Sequence, residues 1–172
     1  MINLDLIDVL LNAIGDPLTY SIIFFVYVIL AAVILPIPVE IGLFNPYIHP
    51  LLLLIILGAG KGMGSLLVFI ISKKLRKTFK RTTIGENWEI TKKIISKSEN
   101  FVKKYGNYGL FIIMSIPLMI DTISLYLFSL LNPTEEKTSL TSTKFVLINI
   151  GAGITRGIIV LSIFYYVGVK LV

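Results

Sequence analysis

Four ionisable residues stand inside apolar runs or at their breaks: Glu40, Lys61, Asp121 and Arg156. A charge at bilayer depth costs roughly 2.5 to 3.5 kcal/mol on insertion scales, so such residues face a partner or water. Two acids and two bases can neutralise one another. Ion pairs that merely hold the chain together are the plain alternative to a functional site. The functional chemistry would be anion binding coupled to proton exchange. A half-helix that begins after Pro38 or Pro117 presents free backbone N–H groups and a positive dipole end, which suit a phosphate. Lys61 and Arg156 would add formal positive charge, and Glu40 or Asp121 would exchange a proton as the site opens to either side. Other chemistries lack residues. With Cys 0 and a single histidine, His49, disulfides, thiol chemistry and the usual zinc sites have nothing to build from. Serine triads lose their customary base. No metal cluster, phosphate loop or nucleophile–base pair is present in the sequence, so the expectation is a non-enzyme with no catalytic residues, no metal and no cofactor.

The elements that must hold these charges are apolar. Of the 172 residues 55% are hydrophobic and 15% charged, with a mean hydropathy of +0.87, whereas soluble domains carry roughly 25% charge. Leu18 to Leu35 contains no charge and would be about 27 Å long as a helix, close to the thickness of a bilayer core. Three further runs follow: Leu51 to Ser72, broken by Lys61; Gly109 to Leu131, broken by Pro117 and Asp121; and Phe145 to Val169, broken by Arg156. These predict an all-α integral membrane protein. The start, with Asn3, Asp5 and Asp8, does not look like a cleavable signal peptide. Leu6, Val9, Leu10, Ala13 and Ile14 give residues 1–16 the spacing of an interfacial amphipathic helix, with a frayed terminus as the alternative. Between Lys73 and Lys104 lie 11 of the 16 Lys and Arg residues, which predicts an integral protein of the cell membrane with residues 73–106 cytoplasmic by the positive-inside rule. Thr83 and Glu86 have capping-box spacing, and Trp88, Ile94, Ile95, Phe101, Val102 and Tyr105 continue at three and four residues. That is an amphipathic helix on the inner leaflet, its lysines meeting anionic lipid. Nucleic acid is not an expected partner, because these bases flank membrane segments.

The order of motifs repeats. Ile37-Pro38-Val39-Glu40 precedes Gly58-Ala59-Gly60-Lys61-Gly62, and Ile116-Pro117-Leu118-Met119-Ile120-Asp121 precedes Gly151-Ala152-Gly153-Ile154-Thr155-Arg156-Gly157. Gly58, Gly60, Gly62 and Gly64, and Gly151, Gly153 and Gly157, are placed for close helix packing, which needs small residues whatever the function. Pro36 and Pro38 make an unbroken helix through Glu40 improbable. Two outcomes remain for residues 18–48: a full crossing by Leu18 to Leu35, or a re-entrant hairpin that turns near Pro36 to Glu40. If Pro117 also marks a re-entrant hairpin, the two halves are inverted, each a hairpin plus a transmembrane helix. That is the architecture of secondary transporters. Asn45 and His49 then lie near the outer edge of the first hairpin.

At these residues the chain resembles the DedA family, also called the SNARE-associated Golgi protein or VTT-domain family. Pro36-Ile37-Pro38-Val39-Glu40 is similar to that family's Pro-x-Pro-x-Glu. Gly60 to Leu75 resembles its Gly-rich helix ending in aromatic then basic residues, Phe101 to Gly106 leading to Ile116-Pro117 its second hairpin entry, and Gly151 to Gly168 its last helix. The chain departs from the pattern where Met114 and Ile120 stand in place of arginines and Ser65 in place of an acid, so only Glu40 carries over directly. The resemblance implies a VTT-like membrane domain over 17–172, with a first half 17–72, the basic segment 73–106 and a second half 107–172. It also implies lipid transport: flippases for polyprenyl phosphate or phosphatidylethanolamine, or phospholipid scramblases. The expected partners are membrane lipids with a phosphate-bearing headgroup, protons or other cations as coupling ions, and a homo-oligomer is left open. A small-solute or cation exporter on the same scaffold and a non-transporting membrane assembly factor are the alternatives.

Overall fold

The computed structural model describes residues 2–35, 37–81, 105–130 and 141–167. Every regular element among them is helical: α1 (Ile2–Asn12), α2 (Pro17–Val33), a 3-10 turn (Val39–Leu43), α3 (Pro50–Arg81), α4 (105–115), α5 (Asp121–Leu130) and α6 (Ser142–Tyr166). The expected all-α character holds for these residues. Pro36 and the amphipathic helix anticipated after Thr83 lie outside them, as does the polar loop before Thr141.

Local chemistry sets the boundaries. Asp16 caps α2 by accepting the Leu18 N–H at 3.1 Å, and Pro17 fills the first helical position, where a missing N–H costs nothing. Ahead of the prolines the helix closes on itself, with the Leu35 N–H reaching Leu30 O at 3.0 Å. After Pro38 only one 3-10 turn forms. The half-helix expected at that point is absent, because Pro46 and Pro50 follow too closely for a further helical turn to establish itself. Asn45, placed by its sequence at an outer edge, is buried: its amide donates to Ile14 O at 3.1 Å and accepts from the Tyr47 N–H at 2.8 Å. The exposed His49 uses Nδ1 to accept the Leu51 N–H at 3.2 Å at the start of α3. The run containing Pro117 splits into α4 and α5, joined through Leu118, a non-glycine residue at φ 60°, a left-handed conformation that carries strain.

Helix directions follow from the glycines. Gly60 lies against Val28 and Gly64 against Ala32, so α2 and α3 run parallel. The chain between them must therefore return along α2. The hydrogen bonds trace that return: the Tyr27 hydroxyl donates to Pro38 O at 3.0 Å and the Tyr20 hydroxyl to Gly42 O at 3.1 Å. On its other face α3 runs antiparallel to α6, with Gly58 against Ile154, Gly62 against Ile150, and Gly157 against Leu54. A Cβ on any of Gly58, Gly60, Gly62, Gly64, Gly153 or Gly157 would come within 2.8 Å of a neighbour. Small residues are thus what let the three helices approach. Gly151 departs from this expectation, since its nearest neighbour, Phe111, stands at an ordinary 3.5 Å.

The packing forms two apolar cores at opposite ends of the α3–α6 pair. One gathers Leu10 of α1, Phe24 and Val28 of α2, Leu43, Leu53 and Leu57, and Leu161 of α6. The other gathers Val68 of α3, Leu110 and Met114 of α4, Leu125 and Phe128 of α5, and Phe145 of α6. The returning segment belongs to the first core through Val39 and Leu43, and α4 and α5 to the second, while α2 reaches both through Phe24 and Ala32. Two helices are long and apolar enough to cross a membrane, Pro50–Leu75 within α3 and Ser142–Tyr166, while α2 is a shorter apolar helix.

Candidate functional site

Between the two cores lies a layer of charge. Lys61 falls at the middle of Pro50–Leu75 and Arg156 at the middle of Ser142–Tyr166. The antiparallel packing of α3 on α6 sets them at similar depth. Glu40 comes from the 3-10 turn of the returning segment, and Asp121 from the first turn of α5. All four side chains are buried, Lys61 and Arg156 to 1% exposure.

Arg156 is the hub. Its Nη1 donates to Asp121 Oδ1 at 2.7 Å, its Nε and Nη2 meet Glu40 Oε1, and Nη2 also donates to Met119 O at 2.9 Å. Lys61 Nζ stands 3.1 Å from Asp121 Oδ2 and donates to Met114 O at 3.2 Å. The sequence points to two acids and two bases in mutual neutralisation. The structure joins all four in one network, not two separate pairs, with a formal charge of zero. Asp121 bridges both cations through different oxygens. Glu40 Oε2 has no hydrogen-bond partner.

The second helix break supplies the remaining ligands. In a continuous helix the Leu118 N–H would donate to Met114 O. Pro117 interrupts that ladder and frees both groups at depth, where each demands a partner. Glu40 Oε1 accepts the Leu118 N–H at 2.9 Å, and Lys61 takes Met114 O. The charges therefore satisfy the broken backbone while neutralising one another. The end of α2 is met in a similar way: the Thr122 hydroxyl donates to Ala31 O at 2.7 Å and lies 3.4 Å from Leu35 O.

Of the predicted site residues, Glu40, Lys61, Asp121 and Arg156 come together, with Pro38 and Pro117 at the adjoining breaks and Gly58 and Gly153 where the two Gly-Ala-Gly motifs meet. A Cβ on Gly153 would stand 3.4 Å from Gly58 Cα and 2.8 Å from the Lys61 stem, so this glycine leaves room for the lysine to reach the layer. Sequence reasoning missed Thr122, Tyr20, Tyr27 and Gly42, and the backbone groups of Met114, Leu118 and Met119. A signal existed for the tyrosines, which lie seven apart on one face of α2 next to a proline-broken segment with carbonyls to satisfy. Among the described residues no group of three or more His, Cys, Asp or Glu is placed to hold a metal ion. Compared with protein-family models, with curated proteins and with solved structures, the chain matches none.

Proposed function

We propose that this chain is an integral membrane lipid transporter, a flippase or scramblase, which moves a phosphate-bearing lipid past the charge layer with protonation of a buried carboxylate. The observation that carries the reading is the placement of polarity. Two bases at the middle of two long apolar helices are buried together with two acids from the neighbouring helix breaks, while Leu18, Ile22, Leu51, Ile55, Leu147, Ile158 and Ile163 are exposed on the outside. Water is a poor solvent for such a surface, and a bilayer a good one. In that setting α2 with its returning segment, and α4 with α5, act as re-entrant hairpins of two inverted halves. The resemblance to the DedA family supports the same assignment.

Glu40 holds the place a phosphate oxygen would take. Its carboxylate accepts from the Arg156 guanidinium and the Leu118 N–H, both donors suited to a phosphate. An entering headgroup displaces that carboxylate. The displaced Glu40 takes a proton from water, since an unpaired carboxylate at this depth is costly, and Arg156, Lys61 and the Leu118 N–H turn to the phosphate. Loss of the proton reverses the exchange. With Glu40 protonated, Asp121, Lys61 and Arg156 together carry one net positive charge, which suits an anionic cargo and not a cation.

Flux of a fluorescent phospholipid and of a polyprenyl phosphate analogue in proteoliposomes tests this. Glu40→Gln and Lys61→Ala should each slow transport at least about tenfold, the effect of about 1.4 kcal/mol on a barrier. Wild-type rates in both variants would refute the proposal.

A further inference from the structure

The seam between α3 and α6 is polar on one side of the charge layer only. On α3, Lys61, Ser65 and Ser72 share a face at steps of four and seven, and on α6 so do Arg156, Gly153 and Asn149. Gly153 lies against the Lys61 stem, and the Phe145 ring meets that of Phe69 with centroids 5.3 Å apart. Each contact is one turn from the next position on both antiparallel helices, so the register sets Asn149 opposite Ser65. Ser65, Ser72 and Asn149 are completely buried. Ser65 Oγ donates to Gly62 O at 2.8 Å, and Asn149 Nδ2 to Phe145 O at 2.8 Å. Asn149 Oδ1 and Ser72 Oγ have no hydrogen-bond partner. Buried polar atoms are nearly always satisfied, by protein or by ordered water. The first core differs: its buried hydroxyls, Tyr20 and Tyr27, both donate to backbone carbonyls.

We infer that water molecules occupy the seam beside Asn149 and Ser65 and again beside Ser72, on either side of the Phe69–Phe145 ring contact, and that through them the carboxylates exchange protons with the aqueous phase at the Lys73–Lys74 end. Ser72 is the last buried residue before those exposed lysines. The charged groups that face this path are Lys61 from α3, Asp121 from α5, Arg156 from α6 and Glu40 from the returning segment. Tyr126 of α5 is the other titratable side chain packed on the second core. The use of the path in transport rests on the proposed function; its existence does not.

The cysteine-free chain permits a direct test. Single Ser65→Cys, Ser72→Cys and Asn149→Cys variants in sealed vesicles are exposed to silver ion, a thiophilic probe of about the size of a permeating ion, in chloride-free buffer from one side at a time. Unreacted thiol is then counted with a maleimide after unfolding. Lys73→Cys, read with an impermeant maleimide, reports orientation, and Leu57→Cys in the first core is the dry control. Ser72→Cys and at least one of the other two should react from the Lys73 side at least tenfold faster than Leu57→Cys. Any lesser result, or reaction only from the opposite side, overturns the inference. Lipid flux in the same vesicles separates the two readings. A wet seam without flux would sink the transport reading alone, and a dry seam with flux the water path alone.

Discussion

Asp121 bridges both cations, so it offers the sharpest test of whether the four charges act as one buried unit. At 3.1 Å its attraction to Lys61 is about 5 kcal/mol at an effective dielectric of about 20. Desolvation of both groups offsets much of that in the intact protein, but removal of one partner strands the other. Lys61→Met leaves two carboxylates facing Arg156 alone. Asp121→Asn keeps an oxygen for Arg156 Nη1 and leaves Lys61 with only Met114 O. Each single substitution should cost about 3 to 5 kcal/mol, as for other broken buried pairs. The double variant restores neutrality, with Glu40 and Arg156 still paired, and should cost far less than the sum, giving a coupling of about 3 kcal/mol. Circular dichroism during SDS titration from mixed micelles measures all four corners of the cycle. Additivity within about 0.5 kcal/mol would refute the reasoning, because it would mean that Lys61 and Asp121 are not coupled within the buried layer.

Three further outcomes follow from contacts along α2 and its returning segment. A Cβ on Gly42 would stand 2.0 Å from the buried Phe24 ring, so Gly42→Ala should cost about 1 to 3 kcal/mol; Gly15→Ala, with nothing within 4 Å, is the control in the same thermal melts. Thr122→Val removes the hydroxyl that joins α5 to the end of α2, and a loss of about 1 kcal/mol in SDS titration is expected, with Thr122→Ser retaining wild-type stability. At the start of α2 the Thr19 hydroxyl, and after it the Leu18 N–H, hold the Asp16 carboxyl below its ordinary 3.8. Because the folded value is depressed, the contribution is present above pH 3.8 and fades as pH falls through the folded value. The melting temperature of Asp16→Asn should therefore fall below that of the wild type at neutral pH, and the gap should close under acid; a gap that persists there would exclude this origin.

The charge layer was legible in the sequence because a Lys, an Arg and two acids in apolar runs are conspicuous by type alone. So were the packing glycines. Their partners were not legible. Nothing in the spacing says that Gly60 and Gly64 face α2 while Gly58 and Gly62 face α6, or that Gly151, inside the same motif as Gly153, touches little. Those facts depend on the angle at which each helix is turned, which a one-residue change of phase would alter by 100°. The returning segment was legible as a break but not as a 3-10 turn. Its form follows from the combined spacing of Pro38, Pro46 and Pro50, and its seat from the Tyr20 and Tyr27 hydroxyls.

What a reading by side-chain type overlooks most is the backbone. Leu118 is an unremarkable apolar residue in the sequence, yet its N–H is one of the donors that hold Glu40, and Met114 and Met119 contribute only their carbonyls. From the sequence, the proline that frees these groups is a source of helix-end dipole for a ligand. In the structure that source is already engaged by an internal carboxylate. A phosphate would therefore bind by exchange and not by simple attraction: Arg156 and the Leu118 N–H gain little by swapping one oxyanion for another, so the direction of exchange is set by what happens to Glu40. A proton makes its departure inexpensive. On this account Glu40→Gln should abolish the dependence of flux on pH, whereas Glu40→Asp, which retains a titratable group on a shorter stem, should retain it at a reduced rate.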